Sequence, residues 1–250
     1  MPDWHLASIR LTIFVTPDTD VPTTLWREMI GEEPENSNFQ RQFALRTQIG
    51  PFAEGTLALL IQPMRVDWNH EPVLAPLSGP LPPVLGAFPA AANPFLEFTR
   101  RWITTPRFPS ATRIALGLVV VSPTTDRETG YRELAQFIDG VPNTPDARDF
   151  QYQVNRPRES RAGVDGLQVN RLSKWSVGWG QLVGFRFDGP PSQNNANITL
   201  GTSASHLRLE LDINTSADFQ GCIPRNAIQN VLNDLLAGAN EIIEHGNRFV

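Results

Sequence analysis

Apolar and polar residues alternate from Ala7 to Val15, with Ile9, Leu11, Ile13 and Val15 on one side. A period of two predicts a strand buried on one face. Thr16-Pro17-Asp18 reads as a turn. Thr23 or Thr24 then caps a short helix that turns Leu25, Trp26, Met29 and Ile30 inward and stops at Gly31. Beyond the acidic turn Glu32-Glu33-Pro34-Glu35 the pattern predicts a strand from Phe39 to Gln48. A tight connection from Gly50-Pro51 to Gly55 leads into a further strand from Thr56 to Trp68.

This order returns from Thr112. A strand from Ile114 to Val121 ends in Val121-Ser122-Pro123, as the first ends in Val15-Thr16-Pro17. The next helix carries Tyr131-Arg132-Glu133-Leu134 against Trp26-Arg27-Glu28-Met29, and stops at Gly140 with Pro142 after it. Asp149-Phe150-Gln151-Tyr152-Gln153-Val154 answers Asn38-Phe39-Gln40-Arg41-Gln42-Phe43. In the strand from Gly166 to Trp179, Trp175 stands where Trp68 stood. The offsets drift from 105 to 111 and back to 107, as loop insertions produce. The pattern reads as a divergent duplication of a β-α-β-β unit.

A helical piece follows each copy. After the first, Phe95, Phe98 and Trp102 recur at helical spacing; after the second, strands from Gln181 to Phe187 and from His206 to Ile213 flank a polar, uncharged loop, Gly189 to Ser205. The chain closes with a helix from Pro224 to His245, amphipathic through Ile228, Val231, Leu232, Leu235, Leu236, Ile242 and Ile243, and stopped by Gly246. The expected fold is α+β with a mostly antiparallel sheet. Two pseudo-repeated halves share one core in a single domain over 1–250, because about three strands per half cannot cover an apolar face alone. Half 1 covers about 1–71, a Pro-rich connection and helix 72–105, half 2 about 106–188, and the closing strand and C-terminal helix 206–246.

Composition narrows the function. With 40% hydrophobic residues and 18 glycines besides, a sizeable core is available. A net charge of −5 argues against a protein that grips nucleic acid through bulk positive charge. The single cysteine, Cys222, excludes an internal disulfide or a cysteine zinc cage, and is expected to be packed. The 25 residues from Pro72 to Leu96 carry no charge, enough to cross a bilayer, but seven prolines make them a connection instead. Met1-Pro2-Asp3-Trp4-His5 does not read as a secretory leader, so a soluble, cytoplasmic chain with no membrane partner is expected. Asn197-Ile198-Thr199 therefore has no use as a glycosylation acceptor.

The element order, the length, the helical C-terminus and the Asn-Arg-rich strand pair Val154-Asn155-Arg156 and Val169-Asn170-Arg171 resemble a sporadically distributed bacterial family of about 250 residues. That family has no established activity. The resemblance implies a bacterial accessory protein and nothing about chemistry.

No phosphate-cradling Gly-Lys-Ser/Thr loop, Gly-x-Ser-x-Gly or His-Glu-x-x-His pattern occurs. The densest polar run is Arg65-Val66-Asp67-Trp68-Asn69-His70-Glu71. Asp67, His70 and Glu71 are the candidates for acid–base or metal-dependent hydrolysis, although strand alternation sets Asp67, Asn69 and Glu71 opposite His70. A second cluster is basic: Asn155, Arg156, Arg158, Arg161, Arg171 and Lys174, with Arg186 beyond and Trp175 or Tyr152 able to stack on a base. The leading expectation is a non-enzymatic binding or accessory subunit of a bacterial complex. It would take a protein partner through this hairpin and the terminal helix, with no metal or cofactor. The alternatives are a hydrolase using Asp67, His70 and Glu71, or a nucleic-acid binder using the Arg156–Arg171 hairpin.

Overall fold

The computed structural model describes residues 2–73, 79–138, 149–188 and 195–247, with the backbone alone at 184–188 and 195–199. Its elements are β1 (His5–Val15), α1 (Leu25–Ile30), β2 (Asn36–Gln40), β3 (Leu45–Phe52), β4 (Gly55–Gln62), β5 (Arg65–Pro72) and β6 (Gly86–Ala87). There follow α2 (Asn93–Thr104), β7 (Ala111–Thr124), α3 (Arg127–Leu134), β8 (Gln151–Asn155), β9 (Arg158–Glu159), β10 (Gln168–Asp188), β11 (Asn195–Thr215) and α4 (Ile228–His245). The strands form one sheet in the order β2-β3-β4-β5-β1-β7-β11-β10-β8, with β6 beside β1 and β9 beside β10. The pairings are antiparallel, and the fold is α+β with a C-terminal helix.

Register fixes what each face of the sheet carries. Leu59, Trp68, Leu11, Leu116, Ile213 and Arg171 stand opposite one another across β4, β5, β1, β7, β11 and β10. All but Arg171 are buried, and this row lies under the helices. Trp68 packs edge-on against Phe98 and Trp102 of α2, at ring distances of 4.8 and 6.0 Å, and tilted against Trp26 of α1 at 5.8 Å. α4 rests on the other half of the row, burying Ile228, Val231, Leu232, Leu235, Ala239, Ile242 and Ile243. Its end is shaped by Gly246, at φ 69°, where a Cβ would stand 2.3 Å from the Phe137 carbonyl oxygen. One side of the sheet is thus a helix-covered core, and no described helix covers the opposite, open side.

Several elements differ from the sequence expectation. The strand expected from Phe39 to Gln48 is two, because a 3₁₀ turn over Arg41–Phe43 and Ala44 at φ 46° fold β2 back on β3. The strand from Thr56 to Trp68 breaks at Pro63-Met64 into β4 and β5. The strands read as Gly166–Trp179 and Gln181–Phe187 are one strand, β10, and most of the polar loop Gly189–Ser205 belongs to β11. Residues 189–194, and Gly140 and Pro142 after α3, lie outside the described residues. Beyond Trp179 and Ser205 these two strands leave the sheet as a two-stranded ribbon, which needs ladder bonds but no apolar alternation. Trp68, on β5, and Trp175, on β10, occupy different places in the strand order.

Candidate functional site

The Asp67, His70 and Glu71 group does not converge. Asp67 is buried on the open side, where Arg65 donates to it from Nε at 2.6 Å and Nη2 at 2.8 Å and Thr12 adds a hydroxyl bond. Its carboxylate is fully committed to the sheet. His70 points the other way, into the core, stacked on Phe95 at 6.2 Å and edge-on to Phe52 at 5.1 Å. Its Nε2 donates to the Phe52 carbonyl at 3.2 Å, and Nδ1 is buried without a partner. Burial lowers the His70 pKa below its ordinary value, partly opposed by that bond. Glu71 is exposed and accepts from Asn69 at 2.7 Å. Among the described residues no cluster of three His, Cys, Asp or Glu side chains is arranged to hold a metal ion.

The basic hairpin is largely neutralised by the terminal helix. Arg158 grips Asp234 of α4 with Nη2 at 2.6 Å and Nη1 at 3.3 Å, a two-pronged pairing. Asp234 also accepts from the Ser160 hydroxyl at 2.9 Å and the Arg161 backbone N–H at 2.8 Å. One turn pair further on, Glu241 takes Arg161 at 2.9 Å and Arg171 at 3.2 Å. Asn155 accepts from the Arg171 backbone N–H at 2.9 Å and donates to Asn170 at 3.0 Å. Lys174 pairs with Glu210 at 3.3 Å. Arg156 is half-buried, and its backbone N–H donates to the Arg171 carbonyl at 3.3 Å. Trp175 is fully buried, stacked on Phe137 at 5.2 Å, so no base can reach it. The side chain of Arg186 lies outside the described residues. Cys222, expected in the core, is exposed.

What the sheet does present is its open face. Along it Ala58, Asn69, Arg10, Gly117, Asp212, Leu172 and Asn155 stand in one cross-strand row. The neighbouring row carries Ser8, Val119, Glu210, Lys174 and Gln153. Between them lies a cleft of about 400 Å³ lined by Ser8, Arg10, Asn69, Glu71, Asp212 and Lys174, among others. Glu210 bonds Arg208 at 3.0 Å as well as Lys174. Burial raises the Glu210 pKa, but those two cations outweigh it and hold the carboxyl below its ordinary value.

Arg10 stands apart from this network. Among the described residues it makes no hydrogen bond or ion pair, and its Nε is buried without an acceptor. Its guanidinium lies over Gly117, where a Cβ would sit 3.4 Å from Nη2 and 3.5 Å from Nε. Arg10, Glu210 and Asp212 were not singled out by the sequence reading. The signal available for Arg10 was a charge inside a strongly alternating strand, and for Gly117 a glycine in the middle of an aliphatic one.

No family model, no curated protein and no solved structure matches the chain.

Proposed function

We propose that the chain is a non-enzymatic binding protein, an accessory subunit of a bacterial complex that works in the cytoplasm and meets a protein partner through the open face of its sheet. The observation that carries this reading is a helix-backed sheet whose other face no described helix covers and which holds a mixed-charge cleft. Such a face offers both signs of charge without rearrangement, which favours selective contact over bulk attraction. The bacterial setting rests on the family resemblance. The hairpin loses its place as the contact surface because Arg158, Arg161 and Arg171 are paired with Asp234 and Glu241. The hydrolase reading has its carboxylates and imidazole on opposite faces, and the nucleic-acid reading has its stacking tryptophan in the core. No described helix is long and apolar enough to cross a membrane.

A duplicated β-α-β-β scaffold belongs to the same proposal. It is supported by a strand order that runs outward alike from the β1–β7 seam: β5, β4, β3 on one side and β11, β10, β8 on the other. α1 follows β1 as α3 follows β7.

The test is gentle purification of tagged protein from its native host, beside Val119→Glu on the open face and Asn233→Glu on the exposed side of α4. The expected result is a stoichiometric protein that co-purifies with the wild type and Asn233→Glu and is lost from Val119→Glu. A partner retained by Val119→Glu, or co-purifying nucleic acid in place of protein, would overturn the reading.

A further inference from the structure

We infer that the open-face cleft is a binding site for a free α-amino acid with an apolar side chain. The inference rests on the reading above only in taking the open face as the working surface.

The argument begins with which charges in the cleft are already answered. Lys174 and Arg208 both engage Glu210, so that carboxylate is satisfied. Three ionic groups then remain without an ion pair among the described residues: Arg10, Glu71 and Asp212. Glu71 and Asp212 each have one neutral amide donor, Asn69 at 2.7 Å and Asn214 at 2.9 Å, which leaves acceptor capacity on both carboxylates. Arg10 has no acceptor among the described residues, and its planar fork of donors suits a carboxylate held by two bonds.

A simple anion would satisfy Arg10 but meet Glu71, Asp212 and Glu210 with the same sign. A simple cation would satisfy the carboxylates but leave Arg10 unanswered. A ligand with a carboxylate and an ammonium close together answers both, the carboxylate on Arg10 and the ammonium toward Asp212, which stands opposite Gly117, the residue the guanidinium overlies. Glu71, bonded to Asn69 on β5, lies three strands from Asp212 and adds only to the negative field of the cleft. The volume agrees: about 400 Å³ is at the small end of small-molecule sites. Val119 and Leu172 line the same cleft, both half-buried, and supply apolar surface for a side chain. Gly117 lies beneath the guanidinium, where a Cβ would rest in ordinary contact with it, 3.4 Å from Nη2.

The test is calorimetric titration of the full chain with a panel of free L-amino acids, their N-acetyl derivatives and their amides. The derivatives keep the carboxylate alone or the ammonium alone. At least one apolar amino acid is expected to bind, with both of its derivatives about 10-fold or more weaker, as loss of one charged hydrogen-bonding group implies. Arg10→Gln and Asp212→Asn are each expected to weaken binding by about 10- to 100-fold at unchanged melting temperature. Arg10→Lys serves where Arg10→Gln fails to fold: it keeps the charge but not the two-pronged geometry, and should also weaken binding. The inference is overturned if no amino acid binds, if an N-acetyl derivative binds as well as the free acid, or if the Arg10 variants bind undiminished. A protein partner that co-purifies while no amino acid binds overturns this inference alone; amino acid binding without a partner overturns only the accessory-subunit reading.

Discussion

Replacing Asp234 with alanine removes the carboxylate that fastens the β9 hairpin to the terminal helix. The Asp234 side chain is 3% exposed and accepts from Arg158 twice, from the Ser160 hydroxyl and from the Arg161 backbone N–H. Alanine would leave the Arg158 guanidinium, itself 16% exposed, with only the Glu159 carbonyl as acceptor. Removing one partner of a buried pair costs about 3–5 kcal/mol. That is a large share of the roughly 5–15 kcal/mol that holds a folded protein together. Asp234→Asn keeps the shape and one acceptor oxygen but not the charge, and should cost about 2 kcal/mol. Urea denaturation followed by circular dichroism measures both. The pH dependence supplies an independent check. Burial pushes the Asp234 pKa up, but the bonds from Arg158, the Arg161 N–H and Ser160 outweigh it and hold the carboxyl below its usual 3.8. A carboxyl lowered in the folded state contributes stability that is complete above its unfolded pKa. That contribution is lost as pH falls from near 3.8 through the lower folded value. Wild type should therefore lose more stability than Asp234→Asn between pH 7 and pH 3. An Asp234→Ala protein within about 0.5 kcal/mol of wild type, or identical acid sensitivity in Asp234→Asn, would refute the clamp.

Three further outcomes are expected. His70 is held neutral by burial, its folded pKa below 6.5, so its contribution is complete above pH 6.5 and lost as pH falls below it; His70→Phe should flatten stability between pH 7 and pH 5, measured by urea titration at each pH. Trp175→Ala should cost about 3–5 kcal/mol through loss of packing against Phe137 and Trp4, with no change in the salt dependence of any nucleic-acid retention on a charged resin. Gly180→Ala sets a Cβ 2.2 Å from the Pro80 carbonyl oxygen, which must move; cleavage of the 79–85 connection by limited proteolysis should quicken, and an unchanged rate would show that this contact does not restrain it.

What was legible in the sequence follows from where burial is one-sided. β1 announces itself because Ile9, Leu11, Ile13 and Val15 are buried and the residues between them face the open side. α4 does so because its apolar stripe repeats at helical spacing, and Gly31 marks the end of α1 by its φ of 93°. The turn that splits the strand expected from Phe39 to Gln48 was hidden because Ala44 takes the left-handed conformation, where glycine or asparagine would be the recognisable signal. The distal ribbon of β10 and β11 was hidden for another reason: beyond Trp179 and Ser205 its described strands pair with each other and no longer with β7 or β8, so it needs ladder bonds and no alternating core pattern.

The two proposed sites were misread for reasons of partnership, not of residue type. The alternation in Arg65–Glu71 already separates His70 from the carboxylates, and the structure keeps them apart. The arginines of the hairpin were visible, but their acceptors lie seventy or more residues on, at Asp234 and Glu241. One signal did exist. Asp234 sits inside the apolar stripe of α4, between Leu232 and Leu235, and a carboxylate in a buried stripe calls for a cation from elsewhere in the chain.

The seam between β1 and β7 has a consequence for the order in which the protein is made. Synthesis delivers β1 through β5 first, while the strand that closes the outer edge of β1 begins only at Ala111. Until then an apolar strand offers a complete row of unpaired backbone donors and acceptors, the surface on which chains self-associate. The same holds for a fragment cut within the Pro-rich connection. A chain that stops before Ala111 is therefore expected to pair its β1 edge with a second copy of itself, and a monomer in sedimentation analysis would refute this.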